Sequence, residues 1–257
     1  MAYVGYRVFL HEARVQPAIV TPRMDAQRAI APSLGGHIKH LFSEQVNYGN
    51  RSRYPKLIAL TFDDGPYPIF TPLLLDELAR LDIHATFFLI GRDAEQWPEL
   101  AQRIERSGNE IADHTYTHPD LDEESPRQVR LEILQGRDAL YQLVHDRSVL
   151  DLFRPPHGRY TVQTIQVAQS LGYRTILWTD DSGDWRRVNF ETLAQHLEQH
   201  ATAPEIVLLH SGKLATIEML PRVVARFRAA GYRFVTVGQM LARVAPGQLN
   251  HPAKRPV

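Results

Sequence analysis

The sequence has no cysteine, which excludes a disulfide-stapled protein and leaves the redox compartment open. It also lacks any run of the roughly 18 consecutive apolar residues that a membrane-spanning helix needs. Its first residues have neither the basic segment nor the long apolar run of a signal peptide. Neither a transmembrane segment nor a leader is therefore predicted, and the compartment stays open.

The chain also has no net charge, since 29 Lys and Arg balance 29 Asp and Glu. The balance is uneven along the chain, because residues 56–240 carry 19 basic and 26 acidic side chains between two basic flanks. An acidic body lacks the contiguous positive surface that binds phosphate backbones, so nucleic acid is not an expected partner. A hydrophobic share of 44% over 257 residues predicts an ordinary globular protein with one large domain or two small ones.

From Lys56 onward, short β-branched or aromatic runs alternate with longer amphipathic stretches, which is typical of a parallel α/β sheet. The predicted strands are Leu57–Phe62, Ala85–Ile90, Glu110–Asp113, Val149–Phe153, Arg174–Trp178, Ile206–Leu209 and Arg233–Val237. The predicted helices are Thr71–Leu81, Trp97–Ser107, Pro126–Val144, Val162–Leu171, Phe190–His200 and Ile217–Ala230.

The chain outside this pattern is predicted to flank a single folded region. Residues 1–55 show weak periodicity and form an N-terminal extension with one short helix around Met24–Ile30. Residues 56–244 form the predicted domain, and the proline-containing residues 245–257 are a predicted C-terminal tail.

Most of the potentially reactive side chains follow the C-terminal ends of predicted strands. They are Asp63, Asp64, His114, His118, Arg154, Asp181, Asp184 and His210. In a barrel of parallel strands these ends lie on one face, which is where such enzymes build their sites. The pattern therefore predicts one shared site.

The acidic pair and the histidine pair favour a metal site. Adjacent carboxylates at Asp63 and Asp64 are costly to hold together unless a cation or a guanidinium offsets their repulsion, although a turn that caps the next helix is the alternative. His114 and His118 have the spacing that lets two imidazoles on one side of a helical turn share a divalent cation, although surface histidines also occur four apart by accident. Two histidines and one aspartate leave positions open for water and substrate, as catalytic metal sites do.

The other candidate functional residues give weaker evidence when each is taken alone. Arg154 begins a stiff Arg-Pro-Pro turn in which Gly158 allows close backbone approach, and an arginine that braces this turn through a surface ion pair is the alternative. Trp178 and Trp185 flank a run of carboxylates, where either ring could face a sugar or pack in the core. His210 ends an apolar strand, where a satisfied core histidine is the usual explanation, but its place on the reactive face favours function.

Five stretches, in this order, resemble the polysaccharide deacetylases of carbohydrate esterase family 4, also called the NodB-homology family. They are TFDDGP at Thr61–Pro66, HTxxH at His114–His118, Arg-Pro-Pro-x-Gly at Arg154–Gly158, Asp-x-x-Asp-Trp at Asp181–Trp185 and Leu-x-His at Leu208–His210. The resemblance covers Lys56 to Arg243 and implies a distorted (β/α)7 barrel of parallel strands. It also implies removal of acetyl groups from an N-acetylated oligo- or polysaccharide of chitin or peptidoglycan type by metal-activated water, and it favours the cell envelope or the outside of the cell. The implied cofactor is one divalent ion, zinc first, with cobalt or nickel as substitutes.

The family's roles, carried over position by position, define the metal and the base. Asp64, His114 and His118 correspond to the metal ligands. Asp63 corresponds to the general base, and Arg154 orients Asp63 and favours its ionised form.

The same resemblance supplies the acid and the acetyl groove. His210 corresponds to the general acid, tuned by Asp181. Leu208 and Trp185 line the small groove that receives the acetyl methyl group.

Pro156 and His157 are the remaining predicted substrate contacts, and His157 departs from the family. Many members carry tyrosine after the two prolines, and the backbone N–H of that residue helps to stabilise the oxyanion. A backbone donor survives a change of side chain, so the oxyanion site is expected to persist. The imidazole is expected to alter substrate preference or to add a metal contact.

Three rival functions stay open. The same site could remove O-acetyl groups from a xylan-type polymer, because it can also attack an ester. A metal-free amide-ring hydrolase of this fold is disfavoured because all three metal ligands are present. A non-catalytic carbohydrate-binding barrel predicts the loss of a ligand, the base or the acid, and none is lost.

Overall fold

A computed structural model of the chain describes residues 55–145, 151–200 and 203–243. The predicted helix around Met24–Ile30, nearly all of the predicted extension and the predicted tail lie outside these residues. Within them, no helix is long and apolar enough to cross a membrane.

The described residues form eight strands, eight α-helices and one short 3-10 turn. The strands are β1 (Leu57–Asp63), β2 (Thr86–Leu89), β3 (Glu110–Asp113), β4 (Leu152–Phe153), β5 (Arg174–Thr175), β6 (Asp180–Asp181), β7 (Glu205–His210) and β8 (Arg233–Phe234). The helices are α1 (Phe70–Arg80), α2 (Gly91–Gln96), α3 (Pro98–Arg106), α4 (Pro126–Leu143), α5 (Val162–Ser170), α6 (Phe190–His200), α7 (Leu214–Ala229) and α8 (Val237–Arg243). The 3-10 turn is Pro156–Gly158.

All strand pairs are parallel, in the order β5-β4-β3-β2-β1-β7-β6, and β8 pairs with the start of β1. The strand β1 is central and buried along its whole length, and its register sets Asp63 opposite His210 of β7. In the described part of the chain, β5 and β6 end the pairing path without pairing with each other. The predicted distorted (β/α)7 barrel of parallel strands is confirmed.

The alternation of side chains along β1 explains why the site lies at its end. Ile58, Leu60 and Phe62 belong to the large apolar cluster that also contains residues of α1, α6 and α7. Leu57 and Ala59 belong to a second cluster inside the barrel. Because side chains alternate along a strand, this inward row continues as Thr61 and then Asp63. The barrel interior therefore changes from apolar to polar at the C-terminal end of β1.

The predicted strand Arg174–Trp178 is wrong in its second half. The strand β5 ends at Thr175. Beyond it, the guanidinium of Arg154 donates hydrogen bonds from Nε to the carbonyl oxygen of Ile176 and from Nη2 to that of Leu177, at 3.2 Å each. Those carbonyls are then satisfied by a side chain instead of by a strand ladder. The chain changes its partner from β4 to β7 and forms the separate strand β6.

The last predicted strand, Arg233–Val237, is also too long. It ends at Phe234, and α8 begins at Val237, whose N–H donates to the Thr86 hydroxyl at 2.9 Å. The helix α2 was not predicted, because its six residues are too few to show a hydrophobic period. Of the predicted strand Val149–Phe153, residues 149–150 lie outside the described residues and β4 covers Leu152–Phe153.

Candidate functional site

The first part of the site is a buried ion pair inside the barrel. Asp63, the last residue of β1, accepts a hydrogen bond from Nη1 of Arg154 on Oδ1 at 2.6 Å. The same nitrogen donates to the Thr61 hydroxyl at 2.8 Å, and the guanidinium lies 4.0 Å from the ring centroid of Phe88. Burial lowers the pKa of Arg154, and the charge of Asp63 opposes this change. The structure thus brings Arg154 and Asp63 into contact, and it does not pair Arg154 with a surface carboxylate.

The second part is a group of three side chains that can hold a metal ion. Ligand atoms of Asp64, His114 and His118 all lie within 4.8 Å of one another, and this is the one such group found in the described residues. Oδ1 of Asp64 is 3.3 Å from Nε2 of His118 and 3.8 Å from Nε2 of His114. The side chain of His157 is not part of the group, although its ring centroid is 4.5 Å from that of His118. The expected option that His157 adds a metal contact therefore finds no support.

The expected helical turn between the two histidines is absent. Residues 114–118 form a loop, in which Thr115 has φ 69° and His118 has φ 65°. Asp64 and His157 also have positive φ, so four of the five non-glycine residues with positive φ in the described chain border the site. Such conformations cost free energy and cluster at functional sites, where the surrounding structure enforces them.

The protonation states of His114 and Asp64 suit a divalent cation. Burial lowers the pKa of His114 to about 4, so its imidazole is neutral near pH 7. Burial alone would raise the pKa of Asp64, but the hydrogen bond from His118 and the positive charges that His114 and His210 carry when protonated lower it well below its usual range. His114 Nδ1 bonds to the carbonyl oxygen of Arg154 at 2.8 Å, which leaves Nε2 as the free ligand atom. Two imidazole nitrogens with one carboxylate match the donor set of catalytic zinc sites.

The third part is a histidine held by a carboxylate that differs from the expected one. Nδ1 of His210 lies 2.7 Å from Oδ1 of Asp184, and the backbone N–H of His210 donates to Oδ2 at 2.8 Å. Asp184 is buried and also accepts from the Thr216 hydroxyl at 2.7 Å. Burial lowers the pKa of His210, but the hydrogen bond and charge of Asp184 outweigh it, and the net shift is upward.

The predicted pairing of His210 with Asp181 is therefore wrong. Oδ1 of Asp181 accepts from the backbone N–H of Gly183 at 2.9 Å and from Nε1 of Trp185 at 3.2 Å, so this carboxylate is used within its own turn. Asp181 and Asp184 are both in the same motif, and sequence spacing alone does not tell which one faces β7.

The two tryptophans have different surroundings. A Cβ atom on Gly158, which has φ 64°, would lie 2.6 Å from the Trp178 ring, so Trp178 packs against the proline turn. The side chain of Trp185 is 44% exposed. The exposed ring is thus the one predicted to contact substrate, and that role stays a prediction.

The other predicted substrate contacts lie close to His210 and Arg154 along the chain. Leu208 is buried in β7 two residues before His210, and so lies on the same side of the strand. Pro156 is buried at the start of the 3-10 turn. Nδ1 of His157 lies 2.7 Å from Oδ1 of Asp120, on an exposed part of the same turn.

Comparison with known proteins identifies the family of the chain. A family profile described as polysaccharide deacetylase matches residues 50–176. Over 191 residues the chain is 36% identical to a peptidoglycan-N-acetylglucosamine deacetylase of Bacillus cereus, an alignment that covers 72% of this chain and 88% of that protein. The chain belongs to the polysaccharide deacetylase family.

Two further matches extend the comparison. The chain is 36% identical over 155 residues to a chitooligosaccharide deacetylase of Sinorhizobium fredii, covering 60% of this chain and 72% of that protein. A crystal structure of a peptidoglycan N-acetylglucosamine deacetylase superposes with a TM-score of 0.70 at 30% identity, over 73% of this chain and 89% of that one. The predicted family and the predicted hydrolytic deacetylase are confirmed, and the three-residue group in such a family indicates a divalent metal ion.

Proposed function

We propose that this deacetylase hydrolyses the acetyl amide of N-acetylated glucosamine units in an oligo- or polysaccharide, with one zinc ion held by Asp64, His114 and His118. The observation that carries the proposal is the assembly on one barrel face of three metal-ligating side chains, an arginine-held carboxylate and a carboxylate-held histidine. The similar proteins support the substrate class, because those named above deacetylate peptidoglycan N-acetylglucosamine or chitooligosaccharides. A divalent ion held by these three side chains would polarise the acetyl carbonyl and make a water molecule more acidic.

Asp63 is the proposed general base. Its Oδ1 is taken by Arg154, while its Oδ2 lies 3.8 Å from Nε2 of His114 and so borders the metal group. The second carboxylate oxygen is therefore in position to accept a proton from a water molecule at that site. Arg154 fixes the orientation of the carboxylate, because its planar guanidinium is held at the same time by Thr61 and by two backbone carbonyls.

His210 is the proposed general acid. Asp184 holds Nδ1, so in the imidazolium form the proton on Nε2 is the one available for transfer to the departing sugar amine. Asp184 also stabilises the imidazolium, because it raises the pKa of His210. The backbone N–H of His157 is the proposed donor to the oxyanion that forms on the acetyl carbonyl.

The geometry also bears on the rival functions. A carbohydrate-binding barrel without catalysis does not need a carboxylate oriented by Arg154 beside the metal group, or an imidazole oriented by Asp184. An O-acetyl esterase would use the same groups, but an alkoxide is a better leaving group than an unprotonated amine nitrogen, which would have to depart as an amide anion. The strongly held acid thus favours the amide substrate.

The test is acetate release from chitooligosaccharides, peptidoglycan and acetylxylan by the purified protein. We expect release from at least one N-acetylated substrate, loss of this activity after treatment with a strong chelator, and recovery on addition of Zn²⁺ or Co²⁺. Full activity in metal-free protein would contradict the metal site. Release from acetylxylan alone would replace the amidase with an esterase.

A further inference from the structure

The loop of residues 114–118, called here the ligand loop, is held by one residue of a neighbouring helix. All five of its backbone N–H groups have acceptors. Three of the five acceptors are Leu89 O, Asp113 Oδ1 and the Thr115 hydroxyl. The other two belong to Glu132 of α4, whose carbonyl oxygen accepts from residue 116 and whose carboxylate accepts from residue 117.

Both carboxylate oxygens of Glu132 are used by the ligand loop. Oε2 accepts the backbone N–H of Thr117 at 2.8 Å, and Oε1 accepts the Thr117 hydroxyl at 2.9 Å. Glu132 is only 5% exposed, so its carboxylate depends on these donors for its hydrogen bonds. A buried glutamate needs such partners, because an unpaired buried charge is strongly destabilising.

Gly136, one turn further along α4, brings this helix close enough. A Cβ atom at Gly136 would lie 2.5 Å from Oδ1 of Asp113 and 2.8 Å from the carbonyl carbon of Thr115. Residues 132 and 136 lie on the same side of the helix, so the missing side chain gives the ligand loop direct access to Glu132.

The contact matters because the second ligand depends on it. His114 is fixed by its own Nδ1 bond to the Arg154 carbonyl. Within the residues that the structure describes, His118 has no equivalent bond from Nδ1, and its Nε2 faces Asp64. Its place is therefore set mainly by the backbone of the ligand loop, which has positive φ at both Thr115 and His118. A strained loop keeps this shape only if its surroundings enforce it.

We propose that Glu132 is a positioning residue for the metal site: it holds the ligand loop so that His118 meets Asp64 and His114. The inference rests on the proposed function, since it assumes that these three side chains bind a metal ion. Hydrogen-bonding partners behind metal ligands commonly change metal affinity by about 10–100-fold when they are lost.

The experiment measures Zn²⁺ affinity by competition with a chromophoric chelator and the visible absorption spectrum of the Co²⁺-loaded protein. Glu132→Met keeps the length of the side chain and removes both carboxylate oxygens. We expect its Zn²⁺ affinity to fall about 10–100-fold and its Co²⁺ spectrum to change. Glu132→Gln should remain close to wild type. Its amide oxygen can accept the N–H of Thr117, and its NH₂ group can donate to the Thr117 hydroxyl.

Glu110→Met is the matched control. Glu110 is also a buried glutamate with two donors, the Thr86 hydroxyl at 2.7 Å and the backbone N–H of Gly238 at 3.1 Å. It begins β3, at the end of the strand opposite to the ligand loop. We expect Glu110→Met to lower stability without changing Zn²⁺ affinity or the Co²⁺ spectrum of the folded protein.

Three results would overturn the inference. One is wild-type Zn²⁺ affinity in Glu132→Met, a second is an equal loss in Glu110→Met, and a third is a Glu132→Gln variant as weak as Glu132→Met. If Glu132→Met does not fold, Thr117→Val is the alternative variant, because it removes only the hydroxyl bond to Glu132. It should weaken Zn²⁺ binding by a smaller factor, and an unchanged Zn²⁺ affinity in this variant would also overturn the inference. A wild-type protein that binds no Zn²⁺ would overturn the proposed function as well.

Discussion

Asp184 binds His210 through both of its carboxylate oxygens, one to the side-chain Nδ1 at 2.7 Å and one to the backbone N–H at 2.8 Å. The pair links the turn after β6 to the end of β7, and a third bond from Thr216 fixes the carboxylate. The imidazole therefore has a set orientation and a raised pKa. Both properties suit a group that must give a proton to an amine near neutral pH.

Asp184→Asn should move the alkaline limb of the kcat/KM profile to lower pH. The active form is the imidazolium, which is lost as the pH rises through the pKa of His210. Because the charge of Asp184 raises that pKa, its removal lowers the pH at which activity falls. The measurement is kcat/KM for a chitooligosaccharide from pH 5 to pH 10.

Asp181→Asn is the control for this shift. Its carboxylate bonds to Gly183 and Trp185 and is not bonded to His210, so the alkaline limb should stay where it is in wild type. A shift in Asp181→Asn with none in Asp184→Asn would restore the pairing that was expected from the sequence and contradict the structure.

Asp63→Asn should separate catalysis from metal binding. The amide keeps the shape of the side chain and leaves Asp64, His114 and His118 untouched, so metal content should stay near that of wild type. The rate should fall by about 10²–10⁴, the usual effect of losing a general base. His114→Ala is the contrasting variant, and it should lose metal as well as turnover. If Asp63→Asn also loses its metal, Asp63 acts as a ligand and not as the base.

Arg154→Met should destabilise the fold as well as the chemistry. The guanidinium is fully buried, and its loss leaves Asp63 as an unpaired charge beside two free carbonyls. Removing one partner of a buried pair costs about 3–5 kcal/mol of unfolding free energy, which denaturant titration measures. Arg80→Met, which breaks an exposed ion pair with Glu77, should leave the unfolding curve nearly unchanged. Equal curves for the two variants would show that the Arg154 pair is not a structural one.

Sequence periodicity was a good guide to the fold where strands are long and apolar. The predicted start of β1 at Leu57 matches the structure, because its hydrophobic run is buried on both faces of the sheet. The predicted bounds of the shorter strand β3 also match. The prediction failed after Thr175, where a side chain from another part of the chain, Arg154, takes the carbonyls of the next two residues. Such a contact between distant segments leaves no local pattern.

Contacts between distant segments also limited what could be predicted of the site. The metal group could be predicted because its spacing and residue types carry the chemistry, although the His114–His118 spacing works through a strained loop instead of a helical turn. The partner of His210 could not be predicted from the sequence, because it depends on which aspartate of the turn after β6 faces β7. Glu132 gave no signal either, since a glutamate in an amphipathic helix is ordinarily on the surface.

His157 offers the last test, because it departs from the tyrosine that the family resemblance implies at this position. Its Nδ1 is bonded to Asp120, its side chain is 56% exposed, and its φ is 55°. His157→Asn is the suitable variant, since asparagine tolerates positive φ better than most residues. If the backbone N–H is the oxyanion donor and the imidazole only meets the sugar, KM should change while kcat stays within about threefold of wild type, far from the loss that follows removal of an oxyanion donor.

The KM and kcat values should be measured on oligosaccharides of increasing length, with metal content determined in parallel. Metal content should not change, because the His157 side chain lies outside the three-residue group that can hold the ion. His157→Tyr, which restores the residue of many family members, should shift the relative KM values among the oligosaccharides, because the phenol cannot reproduce the bond to Asp120 in the same geometry. A large fall in kcat with unchanged KM in His157→Asn would place the imidazole in the chemical step, and a fall in metal content would make it a ligand.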